Sequence, residues 1–480
     1  AQLLRQSAAK NPAARYEVAQ HYAAAGHLKE AKSQALSAAQ YAKSLGAVRE
    51  RANAIALAMS VEKKFEPALG VQLGECLLDL REFQQLESLL AAVARTPMID
   101  AESSAAFEYL EIATALGTGR ADLCQVTNRL ELLLARQPRF LLEPAARTML
   151  MRAAYRSGSR ETARQAAKIH RKQIMSRGHG PSGHALLSTG YVAAKYFSPK
   201  RALPLLRQAL IEAQKTRDLD LEHLCRQGLG AVCRQIGKFR DSIAECELAL
   251  ALAQRTLSPV LAAHDASDLA VAEMALGNCD RANQLFEEAA TVLEQQPDRH
   301  GPGFVRSNQG ELLLDIGDID RAWMAFSHAL EPATERKDLP IALQTLAGLA
   351  LCAQRRGYLP ELEHWCAELR SLGMGRHRMF HERWMIEAAL AWDVALNQRR
   401  YRDAIDQLRA GADELRRRDV DHWLLVELEA LRLVQYCSGG PSSGEVDRLW
   451  KLAVEYEAGT VLRGLATLSK SDTGIASLGS

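Results

Sequence analysis

Gly310-Glu-Leu-Leu313-Leu-Asp-Ile-Gly317-Asp-Ile319-Asp-Arg-Ala322-Trp-Met-Ala-Phe326-Ser-His-Ala329 is the stretch that decides the fold. Gly310 has no side chain, so a helix carrying it approaches a neighbour closely, and Gly317 is free to take the positive φ of a tight turn. Ala322, Phe326 and Ala329 recur at i, i+4 and i+7, which gathers apolar groups on one face of a second helix. The segment reads as two antiparallel helices joined at Gly317.

The pattern returns every 40 residues at Gly237, Gly277, Gly317 and Gly357. Each turn glycine is followed by an apolar or small triplet: Ser242/Cys246/Ala249, Ala282/Phe286/Ala289, Ala322/Phe326/Ala329 and Leu362/Cys366/Leu369. Seven residues before each turn stands a small residue: Gly230, Ala270, Gly310 or Ala350. Weaker copies fit at Gly190/Ala202/Leu206, Gly158/Ala163/Ala167, Tyr401/Ala404/Leu408, Gly74/Phe83/Leu86 and Ala19/Gly26/Ala31. Roughly nine or ten pairs therefore fill the chain from about residue 12 to 435, because a sequence period of this size is the mark of a repeat array.

This pattern resembles the tetratricopeptide repeat, which implies an all-α, right-handed superhelical solenoid of antiparallel helix pairs. The spacing predicts an N-terminal repeat with an extra helix near Val48–Val61 (residues 1–62), degenerate repeats (63–177), regular 40-residue repeats (178–435), a C-terminal capping helix (436–468) and a disordered tail (469–480).

Composition limits function. Of 480 residues, 60 are basic and 58 acidic, a net charge of +2 that gives no general attraction to nucleic acid. No apolar run approaches the roughly 20 residues of a bilayer-crossing helix. Nine cysteines without a CxxC pair read as small core hydrophobes in a reducing cytoplasm, with no metal or cofactor expected. The start, Ala1-Gln2-Leu3, lacks an initiator Met, and the chain is expected to be cut from a longer protein.

Catalytic signatures do not emerge. The Gly237-Lys238 pair is followed by Phe239 and makes no phosphate-binding loop, and neither a GxSxG elbow nor an HExxH pair is present. The chain is read as a non-enzyme. His377 and His381 are i, i+4 but have no third ligand in the pattern, and the glycine-rich Ser176–His184 and His300-Gly301-Pro302 segments read as long connections. Arg152, Arg156, Arg160, Arg164, Lys168, Arg171, Lys172 and Arg177 face one acid, Glu161, and their four-residue spacing predicts a basic ridge along one helix face. Arg160, Arg164, Lys168, Arg171 and Lys172 are its candidate partner-docking residues.

The phrase Ala14-Arg-Tyr-Glu-Val-Ala-Gln-His-Tyr22-Ala-Ala-Ala-Gly26-His-Leu-Lys-Glu-Ala31 resembles the first repeat after the NTPase and winged-helix segments of large bacterial signal-transduction ATPases. That family includes maltose-type activators and kinase- or cyclase-linked regulators. The resemblance implies a cytoplasmic sensor or scaffold region whose partner is a protein, a peptide, a small inducer or an NTPase outside this chain. A stand-alone peptide- or protein-binding repeat regulator is the alternative, and a nucleic-acid-binding solenoid is disfavoured. Oligomers through repeat packing stay open.

In the tetratricopeptide frame, the concave positions lie six and three residues before the small residue and one, four and five after it. Applied to Gly190, Gly230, Ala270, Gly310, Ala350 and Trp392, the frame gives His184, Tyr191, Lys195, Gln227, Arg234, Gln235, His264, Ser267, Glu311, Asp315, Gln344, Gln354, Arg355, Asp393 and Asn397. Cations on one stretch and acids on the next suit a dipolar ligand such as a peptide better than a polyanion.

Overall fold

The computed structural model describes residues 14–45, 47–62, 64–96, 100–159, 161–165, 168, 183–194, 198–216, 218–255, 259–295, 300–372, 383–438 and 440–470. The first helices are α1 (Arg15–Ala24), α2 (Leu28–Ser44), α3 (Val48–Ser60), α4 (Pro67–Asp79), α5 (Phe83–Ala94), α6 (Ala101–Gly117), α7 (Leu123–Arg136) and α8 (Glu143–Arg156). There follow α9 (Gly183–Val192), α10 (Pro199–Thr216), α11 (Leu219–Gln235), α12 (Phe239–Arg255), α13 (Pro259–Leu276), α14 (Cys279–Glu294), α15 (His300–Asp315) and α16 (Ile319–Glu335). The last are α17 (Leu339–Arg356), α18 (Leu359–Ser371), α19 (Arg383–Leu396), α20 (Tyr401–Leu415), α21 (Val420–Ser438), α22 (Ser443–Glu455) and α23 (Gly459–Lys470). No strand occurs among the described residues.

The turn glycines end the first helix of each pair. Gly237, Gly277, Gly317 and Gly357 have φ of 77°, 93°, 86° and 76°, a left-handed conformation that costs a residue with Cβ energy. Where the repeat lacks glycine, Arg81 and Arg399 take the same conformation at φ 57° and 55°. The second helices start on polar caps in several repeats; Asp122 and Gln125 form a reciprocal capping box, and the Asp318 carboxylate accepts from the Arg321 amide.

Each second helix buries its stripe against the first helix of its own pair and the next. Ala322, Phe326 and Ala329 are fully buried, as are Ala282 and Phe286. Ser242 takes the first stripe position in its repeat without an unsatisfied hydroxyl, because its Oγ donates to Gly230 O at 2.7 Å.

The solenoid closes on itself. Leu123 N donates to Arg336 O at 3.1 Å, and Lys337 Nζ pairs with Asp122 Oδ2 at 2.8 Å. Arg156 donates through Nε to Asp338 Oδ2 at 2.9 Å, across 182 residues of chain. Farther along, Arg234 reaches Asp421 across 187 residues, and Arg240 reaches Glu457 across 217. With a pitch of 40 residues, one superhelical turn therefore takes about five helix pairs, and successive turns touch.

Two expectations need correction in detail. A single capping helix was expected within 436–468; instead α22 and α23 are separated at Tyr456–Ala458, where Glu457 has φ 54°. Thr460 of α23 then donates to Met274 O at 2.5 Å, which fixes the last helix on α13, one turn earlier. The basic run was expected on one helix face. It is divided, because α8 ends at Arg156 and Gly158 turns the chain at φ 78°.

Candidate functional site

The first helix of each pair lines the interior of the superhelix, and most of the predicted concave residues in the regular repeats meet partners there. Arg234 Nη1 donates to Asp421 Oδ2 at 2.6 Å. Burial works against the Arg234 charge, but Asp421, Asp419 and Glu311 outweigh it and hold its pKa above the ordinary arginine value. Glu311 is buried and accepts from Trp384 Nε1 at 2.7 Å and from Gln344 Nε2 at 3.0 Å. Burial pushes its carboxyl above the usual range. Asp315, raised for the same reason, accepts from Arg463 Nη2 of α23 at 3.0 Å.

A second knot surrounds Glu429. Its Oε1 accepts from Arg355 Nη2 at 2.8 Å and from Arg432 Nη1, and its Oε2 accepts from Trp392 Nε1 at 3.1 Å. Burial alone would raise this carboxyl; the charges of Arg355 and Arg432 win and hold it at about 2. Nearby, Asp393 accepts from Arg370 and from Asn397 Nδ2, the latter at 2.8 Å. Gln227 Nε2 donates to Asp265 Oδ1 at 2.6 Å, while His223 Nε2 lies 2.7 Å from Asp265 Oδ2.

The remaining predicted positions divide into three kinds. Gln235 and Ser267 are buried, and Gln354 is half-buried. Tyr191 donates its hydroxyl to Leu224 O at 3.3 Å, and burial raises its pKa to about 12. Lys195 and the His184 side chain lie outside the described residues, as do Arg160, Arg171, Lys172, His377 and His381. Arg164 and Lys168 are exposed.

His264 behaves differently. It is half-buried, and its imidazole is held at about 4, first by burial and then by the positive charges of Arg81, Arg152 and Arg156. The folded pKa lies below the unfolded 6.5, so the stabilising contribution is complete above pH 6.5 and is lost as pH falls towards 4. The loss is on the order of 2–3 kcal/mol. Thermal melting of the wild type and His264→Gln across this window should show a flatter acid limb for the variant; identical limbs would exclude the effect.

Sequence reasoning missed the other side of this interior. The concave frame was read from Gly190 onwards and not in the degenerate repeats before it, where Ile112 and Met151 hold the reference position. Counting from them places Tyr109 of α6 and Arg152 and Arg156 of α8 at concave positions as well. Asp421, Glu429 and Arg463 were missed because they are partners, and no periodicity reports a partner one superhelical turn away.

Among the described residues, no group of three His, Cys, Asp or Glu side chains could hold a metal ion, and no helix is long and apolar enough to cross a membrane.

Comparison with solved structures decides the architecture. A Rap protein complexed with the Competence and Sporulation Factor aligns over 80% of this chain and 99% of its own, at 14% identity and a TM-score of 0.51. The fold is a tetratricopeptide-like helical solenoid. NprR in complex with its cognate peptide NprX covers 74% of this chain and 100% of its own at 13% identity and TM-score 0.48. A signal-transduction ATPase with a tetratricopeptide repeat sensor from Pyrococcus horikoshii covers 71% of this chain and 52% of its own at 15% identity and TM-score 0.40. No protein-family model and no curated protein sequence matches the chain.

Proposed function

We propose that the chain is a non-catalytic sensor or scaffold that binds a peptide or protein segment on the concave face of its solenoid. The observation that carries this reading is the interior lining, where first helices carry both cationic and acidic groups: Arg234 of α11, Asp315 of α15, Arg355 of α17 and Glu429 of α21. A Rap protein of similar fold is complexed with the Competence and Sporulation Factor, which supports a binding role for the solenoid. The finer reading is a regulator of bacterial signalling or transcription that controls an NTPase or other effector outside this chain. Arg164 and Lys168 are proposed as part of the face that docks that effector.

Alanine at Arg234 or Asp315 is a poor probe of binding, since each leaves a charged partner in the interior without its counter-ion. Hydrogen exchange avoids the difficulty. A pooled library of random heptapeptides is passed over the immobilised chain, and the retained peptides are added back in solution. Protection should rise on the first helices α8, α9, α11 and α13. The second helices α10, α12 and α14 should not change. Equal protection on both sets, or protection on the second helices alone, would overturn the concave assignment.

A further inference from the structure

Successive turns of the superhelix meet edge against edge. The loops between pairs lie on the turns within pairs one superhelical turn earlier: Arg336–Asp338 on the Gly119 turn and Arg156, Val420 and Tyr456 on the Gly237 turn, and Gly459 on the Gly277 turn. A Cβ at Gly237 would fall 2.5 Å from Tyr456 Cδ1, and one at Gly277 would fall 2.9 Å from Gly459 Cα. The turns that follow are bare. At Gly317 and Gly357 a Cβ would meet none of the described residues within 4 Å.

The apolar positions of this contact continue onto the bare edge. Ile236 and Leu276, each preceding its turn glycine, are half-buried, whereas Ile316 in the same position is 43% exposed. Phe239, two residues after its glycine, is buried, but its counterpart Leu359 is exposed. Tyr358, Tyr401 and Tyr436 are exposed along the same edge. Neighbouring turns touch, so the row is continuous: Arg356 Nη2 donates to Asp320 Oδ1 at 2.6 Å, Asn397 Nδ2 donates to Leu359 O at 3.4 Å, and the Tyr436 ring lies 5.6 Å from that of Trp392. Earlier in the chain, what covers this edge is the opposite edge of the next superhelical turn.

That opposite edge is free in the first superhelical turn. It carries the Gly26 turn and the loop between α3 and α4, which Lys32 joins by pairing with Glu62 Oε1 at 2.7 Å and with Glu66. The loop between α7 and α8 lies beside them, since Phe107 of α6 stacks 6.2 Å from Phe65 and the neighbouring Glu108 pairs with Arg136 at the end of α7. A Cβ at Gly26 would meet none of the described residues within 4 Å, and Leu28 and Leu141 are exposed. Between them opens a cavity of about 210 Å³ whose walls include Met59, Phe65 and Leu69, with Glu62 and Glu66 beside them.

We propose that the chain associates with itself head to tail, the free first-turn edge of one copy lying on the bare last-turn edge of another and continuing the superhelix. The contact repeats between copies the one that each copy already makes within itself. The cavity has room for a tyrosine ring of the last turn, since about 150 Å³ already holds benzene, and the phenol hydroxyl can donate to Glu62 or Glu66. Because the two edges differ, the contact is heterologous, and every assembly keeps one free edge at each end.

Sedimentation velocity of the full chain should show an average mass that rises with concentration to the dimer and beyond it. Leu28→Lys with Leu141→Lys spoils one edge, and Ile316→Lys with Tyr358→Lys spoils the other, because an unpaired ammonium is costly to bury. Each double variant should stay monomeric at every concentration, with wild-type melting, since all four side chains are exposed. An equimolar mixture of the two double variants restores one intact contact, so its average mass should approach twice that of the monomer and go no further; two misfolded variants would not do this. A wild type that stays monomeric or stops at a dimer would overturn the proposal. Variants that assemble as the wild type does, or a mixture that stays monomeric, would overturn it equally.

Discussion

Glu429→Ala should be among the most destabilising single changes in the chain. The carboxylate is 1% exposed and is shared by two guanidiniums and an indole N–H. Its removal strands Arg355 and Arg432, whose side chains are only 24% and 20% exposed, in the interior without a counter-ion. Breaking a buried pair from one side costs about 3–5 kcal/mol, because the remaining charge keeps its desolvation penalty and loses its attraction. Glu429→Gln retains an acceptor for Trp392 and should cost less. The pH dependence has a definite sign. The folded pKa of about 2 lies below the unfolded 4.5, so this stabilisation is present above pH 4.5 and disappears as pH falls towards 2. Urea denaturation followed by circular dichroism measures both effects. A midpoint for Glu429→Ala within error of the wild type would show that the knot contributes nothing net.

Phe326→Ala should cost a similar amount, about 3–5 kcal/mol, by leaving a cavity between two helix pairs. The ring is fully buried and is clasped between two glycines of successive first helices. A Cβ at Gly310 would fall 2.8 Å from Phe326 Cε1, and one at Gly348 would fall 2.3 Å from Cζ. Gly310→Leu should therefore overpack the same site, at about 1–3 kcal/mol. The two changes share one space, so their effects should not add: Gly310→Ala combined with Phe326→Leu should be less destabilising than the sum of the single variants. Strict additivity would mean that residues 310 and 326 are not in contact.

How much of this was legible in the sequence follows from the range of each interaction. The turn glycines and the Ala322/Phe326/Ala329 stripe are local devices, with their causes within a dozen residues of chain, and periodicity reports them directly. Arg399 and Arg81 hid two turns, since a non-glycine residue at positive φ carries no sequence signal. The interior electrostatics belong to another range. Arg234 and Asp421 stand 187 residues apart, and their pairing depends on how many helix pairs complete a superhelical turn, which no single repeat encodes.

The contacts between successive turns bear on how the chain comes apart. An open repeat array has only nearest-neighbour coupling, so it frays from its ends and its unfolding spreads over a broad range of denaturant. Here Asp338 is tied to Arg156, Asp421 to Arg234 and Thr460 to Met274. Each tie couples a repeat to another about five places away. The C-terminal helices are thereby fastened to the middle of the chain, and losing them removes support from α11 and α13 as well as from their own neighbours. The ends and the middle then share one cooperative unit, and assembly must wait for partners nearly two hundred residues apart to meet, a slow step by the entropy of closing so long a loop.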